Sequence, residues 1–312
     1  MHLPQTIQRH LNGNQVSKEQ IQVIGYASCV GAQDQRCDSG PVTLKDLDLT
    51  TRLETANYQV SWSPIITPDR KPESASDTLS IITDNCKVLA RQTHEAISSN
   101  KKIIVIGGDH SCAIGTWSGV YSALPNPSQL GLIWIDAHMD SHTIKSSSSG
   151  AIHGMPVAAL LGHGDSGLCQ IESANNKILP QNLCLVGVRS FEPAEESLLQ
   201  KLGVKVFYME QIKKLGLDKV MLLAREHVSK NGNHVGVSLD LDAIDPEDAP
   251  GVGSPENQGI SGKSLIETLE NIDFGENFIG IEITELNSHR DYADKTARLA
   301  IEAILASFSR PE

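Results

Sequence analysis

A doubly wound α/β domain built on a parallel sheet is the fold that this 312-residue chain predicts. Short runs of apolar, β-branched residues recur along it, and amphipathic stretches of helical period separate most of them. Several runs end abruptly in acids and histidines. Strands buried on both faces of a parallel sheet read as near-continuous hydrophobic runs. Strand–helix alternation over a whole chain is the pattern of a parallel sheet with helices packed on it.

In chain order, IQVIGYA (21–27) is the first buried strand, and 28–50 and 58–78 read as long loops or irregular strands. The stretch TLSIITDNCKVLARQTHEAISS (78–99) is an amphipathic helix leading to the strand KIIVIGG (102–108). LGLIWID (130–136) and NLCLVGVRS (182–190) are strands of the same kind, followed by a helix over 195–203 and the strand VKVFYM (204–209). A helix over 217–229 precedes VGVSLDLD (235–242) and FIGIEITELN (278–287), and TARLAIEAILASFS (296–309) closes the chain as a helix. No linker or internal repeat interrupts the series, and SSSSG (146–150) is too short to separate domains. One catalytic domain over 1–312 is the expectation.

A formal net charge of −12 has the wrong sign for nucleic acid or an anionic membrane surface, and it suits a small cationic substrate. Six scattered cysteines without a CxxC pair read as free thiols of a cytoplasmic protein. The polar start MHLPQTIQRHLNGNQ has no signal-peptide core. No apolar run approaches the ~18 residues of a membrane span.

In open parallel sheets ligands bind beyond the carboxyl ends of the strands. IIVIGGDH, LIWIDAHMD and VSLDLDAIDP carry their polar residues there, and GIEITELN ends in Glu285 and Asn287. Residues two apart in extended backbone point the same way. Asp136, His138 and Asp140 can therefore converge, as can Asp240 with Asp242, and His110 joins them from a third strand. Four buried carboxylates repel one another and take up protons unless cations neutralise them. Two divalent ions carry the matching charge; with six side chains for two shells, some carboxylates must bridge. Oxygen-rich ligation with imidazole suits Mn²⁺, and Co²⁺, Ni²⁺ or Zn²⁺ can occupy such a site. Asp109 is expected to satisfy backbone donors in the GGDH turn.

GGDHSCAIG, DAHMD, SLDLDAIDP and EITELN, in this order, resemble the signature blocks of the ureohydrolases, the family of arginase, agmatinase and their relatives. The likeness runs from VIGYASCVGAQDQRCDSGP to the last helix. It implies a three-layer α/β/α sandwich with a central, mostly parallel sheet, two Mn²⁺ per chain, and hydrolysis of a guanidino group to urea and an amine by metal-bridging hydroxide. It also implies a homo-oligomer, trimer or hexamer. By the same resemblance one ion is bound by His110, Asp136, Asp140 and Asp240, and the other by His138, Asp136, Asp240 and Asp242. Asp140 orients the hydroxide and relays its proton, Glu285 holds the guanidinium, and His153 protonates the leaving amine.

For the substrate's far end, HTIKSSSSGAIHG and GVRSFEPAEE are most similar to arginase segments. The likeness implies Ser149 at the α-carboxylate and Glu192 with Glu195 at the α-amino group; the two acids also suit a helix start. His142 stands where arginases typically carry an Asn, Ala151 replaces the Asn of SGN, and Glu192 replaces an Asp. ELNSHRD also lacks the Pro common after ELN. L-arginine is the expected substrate, with agmatine or another guanidino acid as the alternative. A non-catalytic metal-binding relative is the alternative of another class. A two-metal phosphoesterase lacks its basic patch.

Overall fold

The computed structural model describes residues 18–309, so the polar start of the chain lies outside the described residues. Its strands are β1 (Gln20–Gly25), β2 (Gln59–Trp62), β3 (Lys102–Ile106), β4 (Leu130–Ile135), β5 (Leu183–Val188), β6 (Lys205–Tyr208), β7 (His234–Asp240) and β8 (Phe278–Thr284). They form one sheet in the order β2-β1-β3-β8-β7-β4-β5-β6. Every pairing is parallel. All eight carboxyl ends therefore lie along one rim.

Successive residues of a strand face opposite sides of the sheet, and the core divides accordingly. Ile133 and Ile135 of β4 pack in one cluster with Leu44, Leu53, Val220, Leu265 and Ala300 from helices on that side. Leu132 and Trp134, one residue out of phase, pack in a second with Leu89, Trp117 and Val157 from helices on the other. All six residues of β4 are buried, which is why its sequence shows no alternation. The result is the expected three-layer α/β/α sandwich.

Several expectations need correction. The segment 28–50 contains a helix over Gly40–Asp46 and the start of another over Leu49–Thr55, and 58–78 contains edge strand β2. The helices Ala113–Ala123, Met209–Leu215 and Gly262–Asn271 also lie outside the periodic stretches read from the sequence. Cys29 and Cys37 are not free thiols: their sulfurs are bonded, with Cα atoms 5.7 Å apart. Cys86, Cys112, Cys169 and Cys184 are free. Among the described residues no helix is long and apolar enough to cross a membrane.

Candidate metal centre

The four strands whose ends carry the expected acids and histidines, β3, β8, β7 and β4, are consecutive neighbours in the sheet. His110 follows β3, Glu285 follows β8, Asp240 ends β7, and Asp136 follows β4. Their convergence is a consequence of strand order.

Local turns aim the side chains. Asp109 caps a 3₁₀ turn over His110–Cys112 by accepting from the Ser111 N–H, and its other oxygen accepts from the Gly31 N–H at 2.8 Å. A side chain at Gly108 would strike the Ser28 backbone, whose carbonyl accepts from the Asp109 N–H. Asp109 thus satisfies backbone donors, as expected. Beyond β4 the backbone is not extended: the His138 N–H donates to Asp136 Oδ1 at 2.7 Å, and Asp140 takes a left-handed φ of 48°. Asp136, His138 and Asp140 converge through this turn and not through strand alternation. Asp240 repeats the device, accepting from the Asp242 N–H at 2.9 Å.

The six side chains surround one volume. His110 Nδ1 lies 3.3 Å from Asp136, 3.1 Å from Asp140 and 3.1 Å from Asp240. That nitrogen is buried, yet no oxygen around it is aligned for a hydrogen bond. His138 Nδ1 lies 3.1 Å from Asp242 and 3.5 Å from Asp136. Ligand atoms of His110, Asp136 and Asp140 fall within 4.8 Å of one another, and so do those of Asp136, His138 and Asp242. Asp136 is common to both groups. Asp240 directs one oxygen at His110 and the other at a backbone donor.

Burial and mutual repulsion act strongly on the groups of the cluster. Burial and the neighbouring Asp136 push Asp140 up to about 7. Burial and the charges of Asp242 and Asp136 raise Asp240 well above the carboxylate range. Burial opposes the charged form of His110, but the carboxylates of Asp136, Asp140 and Asp240 outweigh it and raise that pKa strongly. Asp136, despite burial, is held far down by His110 and His138. Acids and imidazoles crowded together thus perturb one another in opposite directions, as burial without a neutralising cation demands. The donor set, the misaligned buried Nδ1 and the two groups sharing Asp136 all fit a pair of divalent cations.

Behind His110 stands a relay that the sequence reading missed. His110 Nε2 is 2.9 Å from Ser238 Oγ, which donates to Glu282 Oε1 at 2.8 Å. Thr116 and Trp117 also donate to Glu282, which is wholly buried in β8. Trp117 reaches it by packing over Gly236, where any side chain would collide with the indole. Trp134 stacks on the His110 ring at 4.2 Å and donates to Asp136 at 2.9 Å. A lone Glu inside the apolar run FIGIEIT was the available signal.

At the mouth, Glu285 is 3% exposed and has a left-handed φ of 66°. Its Oε1 accepts from the His110 N–H at 3.0 Å and lies 3.0 Å from His153 Nδ1. The His153 N–H donates to Gly31 O. Burial alone would depress the His153 pKa, but Glu285 overrides it and lifts it to about 9. A cavity of about 240 Å³ opens above these groups, with His142, Ser149, Glu192 and Glu195 on its outer wall. His142 Nε2 lies 3.3 Å from Glu195 and 3.7 Å from Glu192. Glu195 also accepts from the Ser141 N–H at 3.1 Å and the Glu192 N–H at 2.9 Å, so it braces the residue after Asp140 and caps the helix Pro193–Leu202. Ser149 accepts from the Ala151 N–H. A larger groove of about 660 Å³, beside Phe191 and Tyr208, is lined by none of the six clustered groups and shares Phe191 with the smaller cavity.

Comparison with known proteins agrees with this geometry. Residues 19–309 match the model of the Arginase family. An arginase of Brevibacillus brevis is 35% identical over 292 residues, 92% of this chain and 97% of its own length. The crystal structure of arginase from Bacillus subtilis superposes with a TM-score of 0.86 at 34% identity, over 94% of this chain and 99% of that one. The structure of Entamoeba histolytica arginase in complex with L-ornithine also superposes with a TM-score of 0.86, at 27% identity over 94% and 100% of the two chains.

Proposed function

The chain belongs to the arginase family, and from that premise we propose that it hydrolyses L-arginine to urea and L-ornithine in one catalytic domain with two Mn²⁺. The observation that carries this reading is the convergence of four aspartates and two histidines from neighbouring strand ends beneath the paired Glu285 and His153. His110, Asp136, Asp140 and Asp240 would hold one ion and His138, Asp136, Asp240 and Asp242 the other, with Asp136 and Asp240 shared. The ions supply two things when bound: acidified water and charge stabilisation as the guanidino carbon becomes tetrahedral.

The chain's own groups do the rest. Glu285 accepts from the guanidinium N–H groups and fixes the planar cation over the cluster. Asp140 orients the attacking water and takes its proton. As the carbon–nitrogen bond to the alkyl chain breaks, His153 gives the departing amine a proton; the Glu285 carboxylate keeps that imidazole charged at neutral pH. Ser149 and His142 receive the α-carboxylate, and Glu192 and Glu195 the α-ammonium.

Agmatine or another guanidino acid is the second reading. It is favoured by the contact of His142 with Glu195, which occupies an imidazole that would otherwise face the α-carboxylate. Urea release from L-arginine, agmatine, guanidinobutyrate and guanidinopropionate separates them. Fastest turnover of L-arginine is expected; silence on arginine with turnover of another substrate would overturn the choice. A cytoplasmic homo-oligomer, trimer or hexamer, completes the reading and is checked by sedimentation.

A further inference from the structure

A histidine that binds a cation through Nδ1 carries its proton on Nε2, and that N–H needs an acceptor that also fixes the ring. For His110 the acceptor is the buried Ser238–Glu282 relay. For His138 a different group is in place. Its Nδ1 faces Asp242 and Asp136, while its Nε2 lies 3.7 Å from Glu256 Oε1, ion-pair range and just beyond a hydrogen bond.

Glu256 sits on the loop between β7 and the helix Gly262–Asn271. Ser190, beyond β5, donates to the same Oε1 at 2.9 Å. Arg189 ties this loop to the acid cluster: its Nη2 donates to Asp242 O at 2.8 Å and to Glu256 O at 2.7 Å. Its Nη1 donates to Ala243 O and its Nε to Asn257 O, both at 3.1 Å. One guanidinium therefore fixes the backbone of Glu256 relative to Asp242, a carboxylate on the opposite edge of the same ring.

We propose that Glu256 is a positioning residue that orients His138 to bind a divalent cation through Nδ1, with Ser190 and Arg189 holding it in place. This rests on the two-metal reading above. The two histidines are then held by unlike means. Glu282 is wholly buried, whereas the Glu256 side chain is 39% exposed and can be changed without opening the core.

The test is a calorimetric Mn²⁺ titration of the metal-free full-length chain, wild type against E256A, E256Q and S190A. Expected for E256A is a ten- to a hundred-fold loss of affinity for one ion and none for the other, the usual range for removing such a partner. E256Q keeps an acceptor oxygen and recovers most of the loss, and S190A weakens the same ion less than E256A. At the Mn²⁺ concentration that just saturates the wild type, E256A shows the paramagnetic resonance of single ions in place of a coupled pair. Wild-type affinity for both ions in E256A overturns the proposal. So does equal weakening of both, or a lowered melting point of the metal-free E256A chain, since either assigns Glu256 to loop packing. A wild type that takes up fewer than two ions sinks the two-metal reading instead.

Discussion

Asp140 and Glu285 share an uncommon property: both are non-glycine residues with positive φ, at 48° and 66°. Such conformations cost roughly 1–3 kcal/mol each and persist where the surroundings over-determine them. Asp140→Asn retains a residue that tolerates this backbone while removing the proposed proton acceptor, so kcat should fall by about 10²–10⁴-fold with the chain still folded. Retained activity in steady-state urea assays would contradict the role given to Asp140. His153 makes a pH prediction. Burial opposes its charge, Glu285 overrides that, and the result is a pKa of about 9, above the ordinary histidine value. The proton is held below that pH, so kcat/KM should decline as pH rises through about 9, and His153→Asn should lower kcat/KM and abolish that limb. A high-pH limb that survives the substitution would assign it to another group. At this scale the sequence was most legible where chemistry is concentrated: acids closing apolar runs marked the whole cluster. Ser238, Glu256 and Glu282 escaped because their role depends on which strands and loops become neighbours.

Among the elements, length and burial pattern together set what could be read. The helix Ala75–Ser98 has one buried stripe and shows its period in the sequence. AIGTWSGVYSA, over 113–123, is buried on nearly every side of its first eight residues, so no polar face marks it. Its Gly115 and Gly119 press against the backbone at Cys86 and Ala90 of the longer helix, where a side chain has no room. The helix Gly40–Asp46 opens with Gly-Pro, which reads as a turn although Pro suits the first helical turn. Strand β2 is a four-residue, half-exposed edge. The interior of β8 carries its own test. Glu282 is the common acceptor of Ser238, Thr116, Trp117 and the Cys112 thiol, so Glu282→Leu takes this acceptor from four buried donors. A loss of roughly 1–3 kcal/mol per unsatisfied group, reduced by rearrangement, should appear in urea denaturation. An unchanged midpoint would mean that the relay contributes nothing to stability.

Across the whole molecule, strand order converts scattered motifs into a site. β3, β8, β7 and β4 are adjacent although 278–284 lies far along the chain from 102–106, and no reading of spacing reveals that adjacency. The net charge of −12 also acts at this scale. An anionic protein draws in a cationic substrate through a field that salt screens. Raising ionic strength from ~0.02 to ~0.5 M should lower kcat/KM for L-arginine by up to ~10-fold, mostly through KM. A salt-independent kcat/KM would show that long-range charge plays no part in capture. Beneath these predictions lies the claim that divalent cations gather the acids of neighbouring strand ends. The most direct test is the metal content of the purified, manganese-loaded chain, measured by plasma mass spectrometry after removal of free ions. Two manganese ions per chain are predicted, falling below two when Asp136 or Asp240 is replaced by alanine. One ion or none in the wild type would contradict the account.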